Sequence, residues 1–554
     1  MIVPGSANPL LLRRSGAGGG YSIANSLRYR AINSANLTRT LVAGNRNLWS
    51  IGWQGVKRGT LGTLQYLYGA DTASADAIYF DTSDRLCIDI AGTVRLVTNA
   101  VFRDPSGHYA IKVDFDAANG TAANRLILTV NGTVLTSFST DTRSGITSGT
   151  AKTGTAVTAY YGRNPTSAAN YFDGLMANCW HVNGVLAGAQ GQIDATSGAW
   201  VPTTPNGMTN NSAGWLLEFS NATSTTTISQ DSTSNGVNWT SSGISVTAGV
   251  TFDQLIDTPT NGAAGTRPVG NYAALSQLTI TGGEVRGGGM RYINTSGGTA
   301  FSVVSTVPLV SGNDLTYIEI TINAAPFAGY PYVGLWHPTT RQLPCPAGQI
   351  AGFGAFSDFG QGASGGYYIN NAFTSNSNSY TTNDVVMFAF KRSTGEVWMG
   401  KNGTWWNSGN PSSQTSPYVT LTADLDWWFS IANFNSTEVE VNFGQKPFVH
   451  TVPTNFRGLC SANISSAAVL TSGSFTGNAS TNGASVWING NPATLTINGN
   501  PVTFGTDADK TAGGFKLRTA SASYNASGTN NWTATVGNRF RGTNGVSNNA
   551  QVNP

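Results

Sequence analysis

Apolar and polar side chains alternate with a period of two over the most readable parts of the chain. Residues 385–391 (VVMFAFK) form a short apolar run closed by Ser393-Thr394-Gly395, which predicts a buried strand. In 396–400, Val397 and Met399 share one face, and Glu396 and Trp398 share the other. Asn402-Gly403 then supplies the pair of positive-φ residues that a two-residue hairpin prefers, and Thr404-Trp405-Trp406 returns. Further on, Val439, Val441 and Phe443 oppose Glu438, Glu440 and Asn442. Upstream, Leu126, Leu128 and Val130 alternate inward before an Asn131-Gly132 turn. Eleven Asn-Gly pairs punctuate the chain, and no long stretch has a 3.6-residue period. The pattern predicts an all-β protein of tandem antiparallel β-sandwiches.

Composition changes that picture in two ways. At 554 residues the chain exceeds the roughly 250–300 residues one core can hold, so several domains are expected. Only 10% of residues are charged, against about 25% in typical soluble domains. Surface polarity must come from Ser, Thr, Asn and the 67 glycines, while 10% aromatics argue against disorder. A formal net charge of +3 is small for this length and gives no indication of nucleic-acid binding. Residues 1–70 nevertheless hold eight basic side chains and no acid. Either this region docks on an acidic partner surface, or its arginines face outward on strands, as the alternation of Arg28 and Arg30 with Leu27 and Tyr29 suggests.

The cysteines at 87, 179, 345 and 460 have no metal-ligand spacing and suggest free, buried thiols from a reducing compartment. The apolar piece 9–12 is too short for a signal peptide, and no window approaches the roughly 20 apolar residues of a membrane span. The expectation is a protein made in a cytosol and not inserted in a membrane.

Two resemblances organise the chain. GEVWMGKNGTWW (395–406), the aromatic strand WWFSI (427–431) and VEVNFGQKPF (439–448) together resemble the C-terminal half of a SPRY (B30.2-like) domain. The resemblance implies a β-sandwich that binds partners through loops and performs no chemistry. SLRYRAINSANLTRT (26–40), VFRDPSGHYAIKVDFDAANGTAANRLILTVNGTVL (101–135) and YFDGLMANCWHVNG (171–184) resemble a laminin-G-like, concanavalin A-type jelly roll of bacteriophage and prophage structural proteins. There the jelly roll follows a short NPxLL-like arm, matched here by Asn8-Pro9-Leu10-Leu11. It precedes a linker of the type TSGAWVP…DSTSNGVNWT…SVTAGVTFDQLIDTPTNG, matched by 196–262. The phrase NCWHVNG departs from the family in lacking an expected acidic residue.

The expected organisation is therefore an N-terminal attachment arm at 1–20, a jelly roll at 21–195, a linker at 196–262, a SPRY-like sandwich at 263–460 and a small β domain at 465–554. Residues 347–383, rich in Gly and Asn, read as a long loop. In the last domain INGNPAT (488–494) and INGNPVT (497–503) repeat with a period of nine, as successive hairpin strands with one turn type would.

A search for chemistry returns little. Glycoside hydrolysis needs two flanking carboxylates. Glu438 and Glu440 share a strand face but lack the third acid of the E-x-D-x-E strand of sandwich glucanases, and Asp114 and Asp116 read as a solvated face. The four histidines are far apart, no G-x-S-x-G elbow precedes a helix, and Gly287-Gly288-Gly289 lacks the context of a phosphate cradle. No cofactor or metal is expected. The laminin-G resemblance is compatible with a structural calcium ion near Asp71, Asp76, Asp81 and Asp84, although DTSD is a common turn.

Binding is what the residues suit. Exposed rings beside amide side chains recognise sugars. The candidates are Tyr330, Tyr332 and Trp336, then Tyr367 and Tyr368, then Trp405 and Trp406, one of which alternation places outward unless another domain covers it. The same rings could instead fill the core or a subunit interface. With the phage resemblance, the expectation is a non-enzymatic virion structural protein: a tail-fibre, spike or head-fibre subunit contacting host-surface glycans. Pro9, Leu10, Leu11, Arg13 and Arg14 would attach it to other tail or capsid proteins. The resemblance favours a homotrimer. The alternatives are a capsid or tail decoration protein without a receptor role and, third, a polysaccharide depolymerase.

Overall fold

A computed structural model describes residues 21–464, except 195–199, 281, 295–299, 311–312, 327–330, 338–358, 370–371, 424 and 435, and the strands beyond residue 471. The chain divides after Ile464 into two compact units. Within the first unit two all-β sandwiches follow one another, and the helices described are three-residue 3₁₀ turns.

The first sandwich packs two eight-stranded antiparallel sheets face to face. One centres on the long strands Leu48–Arg58 and Gly174–Asn183, with Tyr109–Asp116 and Leu126–Val130 on one side and Ser26–Tyr29 on the other. The second runs through Thr93–Val101, Arg85–Ile90, Asp76–Phe80, Gln65–Ala70, Thr158–Tyr161 and Asn36–Thr40. Leu126, Leu128 and Val130 face the core as their alternation predicts, and Asn131 and Gly132 make the turn with φ of 48° and 75°.

The described part of the segment expected as a linker (196–262), residues 200–262, is woven into this sandwich. Trp215–Leu217 pairs with Gly174–Asn183, Thr240–Ser242 with Asn36–Thr40, and Gln254–Leu255 with Ser26–Tyr29. Trp215, Leu217, Phe219, Ile228, Val237 and Trp239 enter the core. These anchors are too widely spaced to read as strands, yet each closes an edge of the sandwich.

The second sandwich sets the sheet through Arg291–Ile293, Glu438–Asn442, Leu315–Ala324, Val385–Lys391 and Glu396–Lys401 against a sheet through Ala300–Leu309, Trp427–Phe434, Tyr332–Trp336 and Phe359–Gly362. The segment read as a loop over 347–383 contributes Phe359–Gly362, Tyr367–Ile369 and Ala372–Thr374 to the latter sheet. Asn402 and Gly403 turn the expected hairpin at φ of 50° and 86°. Thr404–Trp405 pairs back on Glu396–Lys401, whereas Trp406 leaves the sheet in a 3₁₀ turn.

The two sandwiches meet over buried charge. Leu27 and Tyr29 lie in the first core, so Arg28 and Arg30 do point the other way, but that face is covered. Arg28 donates to Asp253 at 2.8 Å and to Glu440 of the second sandwich at 2.9 Å, and Arg30 shares Asp253. Lys446 closes the group on Glu440 at 2.5 Å. Nearby, Lys57 binds Asp257, Asn271 and the Tyr272 carbonyl, and His108 Nε2 lies 2.9 Å from the second oxygen of Asp257. Burial alone would raise the Glu440 carboxyl, but the Lys446 ammonium and the Arg28 guanidinium hold it down at about 2. Gly287-Gly288-Gly289, too, serves the junction: Gly288 donates its N–H to buried Asp173 of the first sandwich.

The second unit, residues 465–554, has one sheet of Ser472–Thr476, Thr529–Ala534, Leu495–Ile497 and Asn500–Pro501. Its other sheet holds Thr503–Phe504, Phe515–Ser521, Ala484–Asn489 and Arg539–Thr543, with Lys510–Ala512 on Phe515–Ser521. At the second INGNP copy Ile497 pairs with Asn500 in the first of these sheets, whereas Ile488 and Asn489 of the first copy lie on Ala484–Asn489 in the other; residues 490–494 and 498–499 lie outside the described residues.

Because Glu440 has its ordinary value of 4.5 when unfolded and about 2 when folded, its contribution is present above pH 4.5 and fades as pH falls toward 2. Glu440→Gln leaves Arg28 and Lys446 without their shared partner and should cost about 3–5 kcal/mol at pH 7. In urea titrations across pH, the gap between wild type and variant should shrink through that acidic window. A gap independent of pH would contradict the assignment.

Candidate functional site

The strongest candidate in the second sandwich grows from the outer face of its sheet. Val397 and Met399 face the sandwich core, so Trp398, with Met387, Ala389 and Tyr317 on neighbouring strands, faces outward. That apolar outer face is covered by the chain after Glu438–Asn442, through Phe448, Val452 and Phe456. Buried Glu319 pins the covering segment, accepting the backbone N–H of Val449 at 2.7 Å and of His450 at 2.8 Å as well as the Tyr317 hydroxyl.

Where the covering segment passes the Asn402-Gly403 hairpin it leaves a polar cleft of about 360 Å³. Met387, Gly403, Trp405, Ser412 and residues 449–453 line it. Trp405 is half-buried, its ring against Tyr317, and so offers part of an indole to the cleft. His450 Nε2 is buried with no hydrogen-bond partner. Ser412 Oγ accepts the N–H of Thr454 and can still donate its proton. No carboxylate and no lysine or arginine lines this cleft. It can hold a neutral, hydroxyl-bearing ring against the indole; it has no acid–base pair.

The other predicted aromatics fall in different places. Trp406 does not join Trp405: it stacks on Tyr380 and packs against Tyr418 within the same sandwich. Neither tryptophan of the pair is fully outward, because Trp406 leaves the strand and the covering segment shields Trp405. Tyr332 and Trp336 are buried, Trp336 against Trp428 and Val304. Tyr367 and Tyr368 are half-buried, Tyr367 against Tyr418 and Tyr368 between Tyr332 and exposed Phe373. Amides near them are already engaged, since Tyr418 accepts from Asn376 and donates to Gln361, both at 2.6 Å. Tyr330, and Pro9, Leu10, Leu11, Arg13 and Arg14 of the arm, lie outside the described residues. His450 and Ser412 escaped sequence reasoning because neither belongs to a motif.

The acids expected to mark a depolymerase or a calcium ion are committed elsewhere. Glu440 sits in the junction and Glu438 pairs with Arg291 at 2.7 Å. Asp114, read as solvated, is buried and binds Ser50 and Lys112. Asp71 pairs with Lys152, Asp81 with Arg85, and Asp84 with Arg58 and Arg103. Asp76 accepts three backbone N–H groups, yet burial raises it to about 6. Among the described residues no cluster of three His, Cys, Asp or Glu could hold a metal ion. Cys87, Cys179 and Cys460 are free and buried, and Cys345 lies outside the described residues.

No protein-family model and no curated protein matches the sequence. Solved structures do overlap it. The SPRY domain of human HERC1 is 14% identical, covering 30% of this chain and 96% of its own, with a TM-score of 0.23. The neuralized-NHR1 domain of Drosophila melanogaster is 11% identical over 30% and 96%, at 0.20. Domains LG4-5 of the mouse laminin α1 chain are 10% identical over 81% and 99%, at 0.26. The sandwich architecture itself is read from the strand pairing above. No helix among the described residues is long and apolar enough to cross a membrane.

The burial of Trp336 makes it a structural residue. Trp336→Ala should lower stability by about 3–5 kcal/mol in a urea melt, as large-to-small core substitutions do. A loss under about 1 kcal/mol would return it to the binding candidates.

Proposed function

We propose that this chain is a non-enzymatic binding protein, a fibre or spike subunit of a bacteriophage particle, whose second sandwich contacts a glycan of the host surface. The Trp405 cleft carries the contact reading: part of an indole, the His450 imidazole ring and the Ser412 hydroxyl line it, with no carboxylate in the lining. An indole face packs against the C–H face of a pyranose, and the imidazole and hydroxyl meet its hydroxyl groups. The phage assignment is supported by the sequence resemblance of the arm and of 196–262. On this reading the arm attaches the subunit to other virion proteins, and subunits associate as a closed symmetric oligomer, a trimer by the same resemblance.

A glycan array probed with the full chain should show binding that Trp405→Ala weakens at least about tenfold, the equivalent of about 1.4 kcal/mol. Binding unaffected by that change would remove the cleft from the contact and favour a decoration or scaffold role. Release of reducing ends from host polysaccharide would favour the depolymerase. Deleting residues 1–20 should leave a folded protein that no longer enters particles; normal incorporation would refute the attachment role.

A further inference from the structure

Lys57 reaches the junction from the first sandwich and is 0% exposed there. It follows the core residue Val56 on Leu48–Arg58, so its side chain leaves the sheet on the face away from that core. Its Nζ donates to Asp257 Oδ2 at 2.9 Å, to the Tyr272 carbonyl at 2.5 Å and to Asn271 Oδ1 at 2.9 Å. Of these three oxygens, only that of Asn271 belongs to an acyl group whose nitrogen can leave without cutting the chain.

Asn271 is fixed from several sides. Its backbone exchanges two hydrogen bonds with Ser461, each of 2.9 Å. Its Nδ2 donates to the Ser106 carbonyl at 2.7 Å, so a donor faces Oδ1 and an acceptor faces Nδ2. Only this orientation of the amide satisfies both neighbours. Cγ lies one bond beyond Oδ1, and the broad χ2 torsion of asparagine lets the amide plane turn its face to Nζ.

Asp257, 2% exposed, is placed to take a proton from the amine. Its other oxygen is held by His108 Nε2 at 2.9 Å and by the Tyr272 N–H at 3.1 Å, which keeps Oδ2 aimed at Nζ. An amine and a carboxamide exchange very slowly when free in water. Holding them in contact is worth effective molarities of about 10⁵–10⁸ M, and burial spares the amine its hydration shell. A carboxylate at hydrogen-bond distance adds general-base catalysis.

We infer that Lys57 and Asn271 join in an intramolecular amide bond, with Asp257 as proton acceptor, that fastens the first sandwich covalently to the second. Asp257 takes a proton from the Lys57 ammonium, the freed lone pair bonds to Asn271 Cγ, and a second Nζ proton passes to Nδ2. The Cγ–Nδ2 bond then breaks, the carbonyl reforms, and the departing ammonia takes back the proton on Asp257 and leaves as ammonium. One C–N bond replaces another, so neither an oxidant nor a cofactor is consumed. Asp257 keeps its contacts with His108 and the Tyr272 N–H.

Mass spectrometry of the denatured full chain tests this directly. The wild type should be lighter than its sequence by one ammonia, and its tryptic digest should contain a branched peptide joining Lys57 to Asn271. The digest matters because Asn-Gly pairs also lose ammonia when they close to imides. Lys57→Met and Asn271→Ala should each abolish the branched peptide, and Asp257→Asn should do so while both reacting side chains remain. A wild type without the branched peptide, ammonia lost only at Asn-Gly pairs, or Lys57 joined to any residue other than Asn271 would overturn the inference. The wild-type digest decides this even if a variant does not fold. A branched peptide undiminished in Asp257→Asn would overturn the role given to Asp257.

Discussion

The arrangement of the first unit depends on cations of one sandwich being buried against acids that arrive from elsewhere in the chain. Arg28 and Lys57, both fully buried, lie on strands of the first sheet, on the face away from its core. Two unit charges in that position are tolerable only when paired and hydrogen-bonded. Asp253 and Asp257, four residues apart on the crossing segment, supply one partner each, and Glu440 supplies Arg28 with a second. Such pairs add little net stability over a well-packed apolar junction, because desolvation offsets most of the attraction. What they do is make other arrangements costly: a shifted junction strands a charge in a low-dielectric space. The crossing segment therefore acts as a register pin, and its edge strands hold it against both sheets of the first sandwich.

That device explains which parts of the fold were legible in the residues and which were not. Local alternation was readable where a turn bounded it, as at Leu126–Val130, Val385–Lys391 and Glu396–Lys401. Alternation fixes which side chains share a face; it cannot say what covers that face. Arg28 and Trp398 both point away from their cores as expected, and both are buried because another segment lies over them. The same gap hid the role of 196–262. A strand of two or three residues at a sheet edge leaves no periodic signature, yet Trp215 and Trp239 fill the core beside Tyr161 and His181.

The candidate sites follow the same logic. Aromatic residue type pointed to the right class of surface, and one of the named rings, Trp405, lines a cleft. Trp336 and Tyr332 alternate with the core residues Val333 and Leu335 and so lie on the other face of their sheet, yet they are buried there, Trp336 with Trp428 and Val304; alternation does not tell what covers a face. A cavity on the outer face of the first sandwich, lined by Trp53, Trp180 and Trp200, was not legible because these residues are far apart in sequence and meet only once the chain is folded. Glycines opposite Trp180 and Trp200 leave a local trace, and with 67 glycines such a trace cannot be singled out.

Charge placement links the junction to the proposed mode of contact. The chain has only 57 ionisable Asp, Glu, Lys and Arg residues (30 + 27) among 554, and it commits several of them to buried pairs. Charges spent inside cannot steer a partner from a distance, and a net +3 leaves only a weak field outside. On the proposed reading, recognition by such a surface would come from short-range terms: ring faces, amides and hydroxyls meeting a neutral, hydroxyl-rich glycan. Short-range terms are weak singly, so useful affinity requires several sites acting together. On the proposed glycan-contact reading, a repeating polymer that meets several such sites at once would gain residence time from each, without any need for a deep pocket.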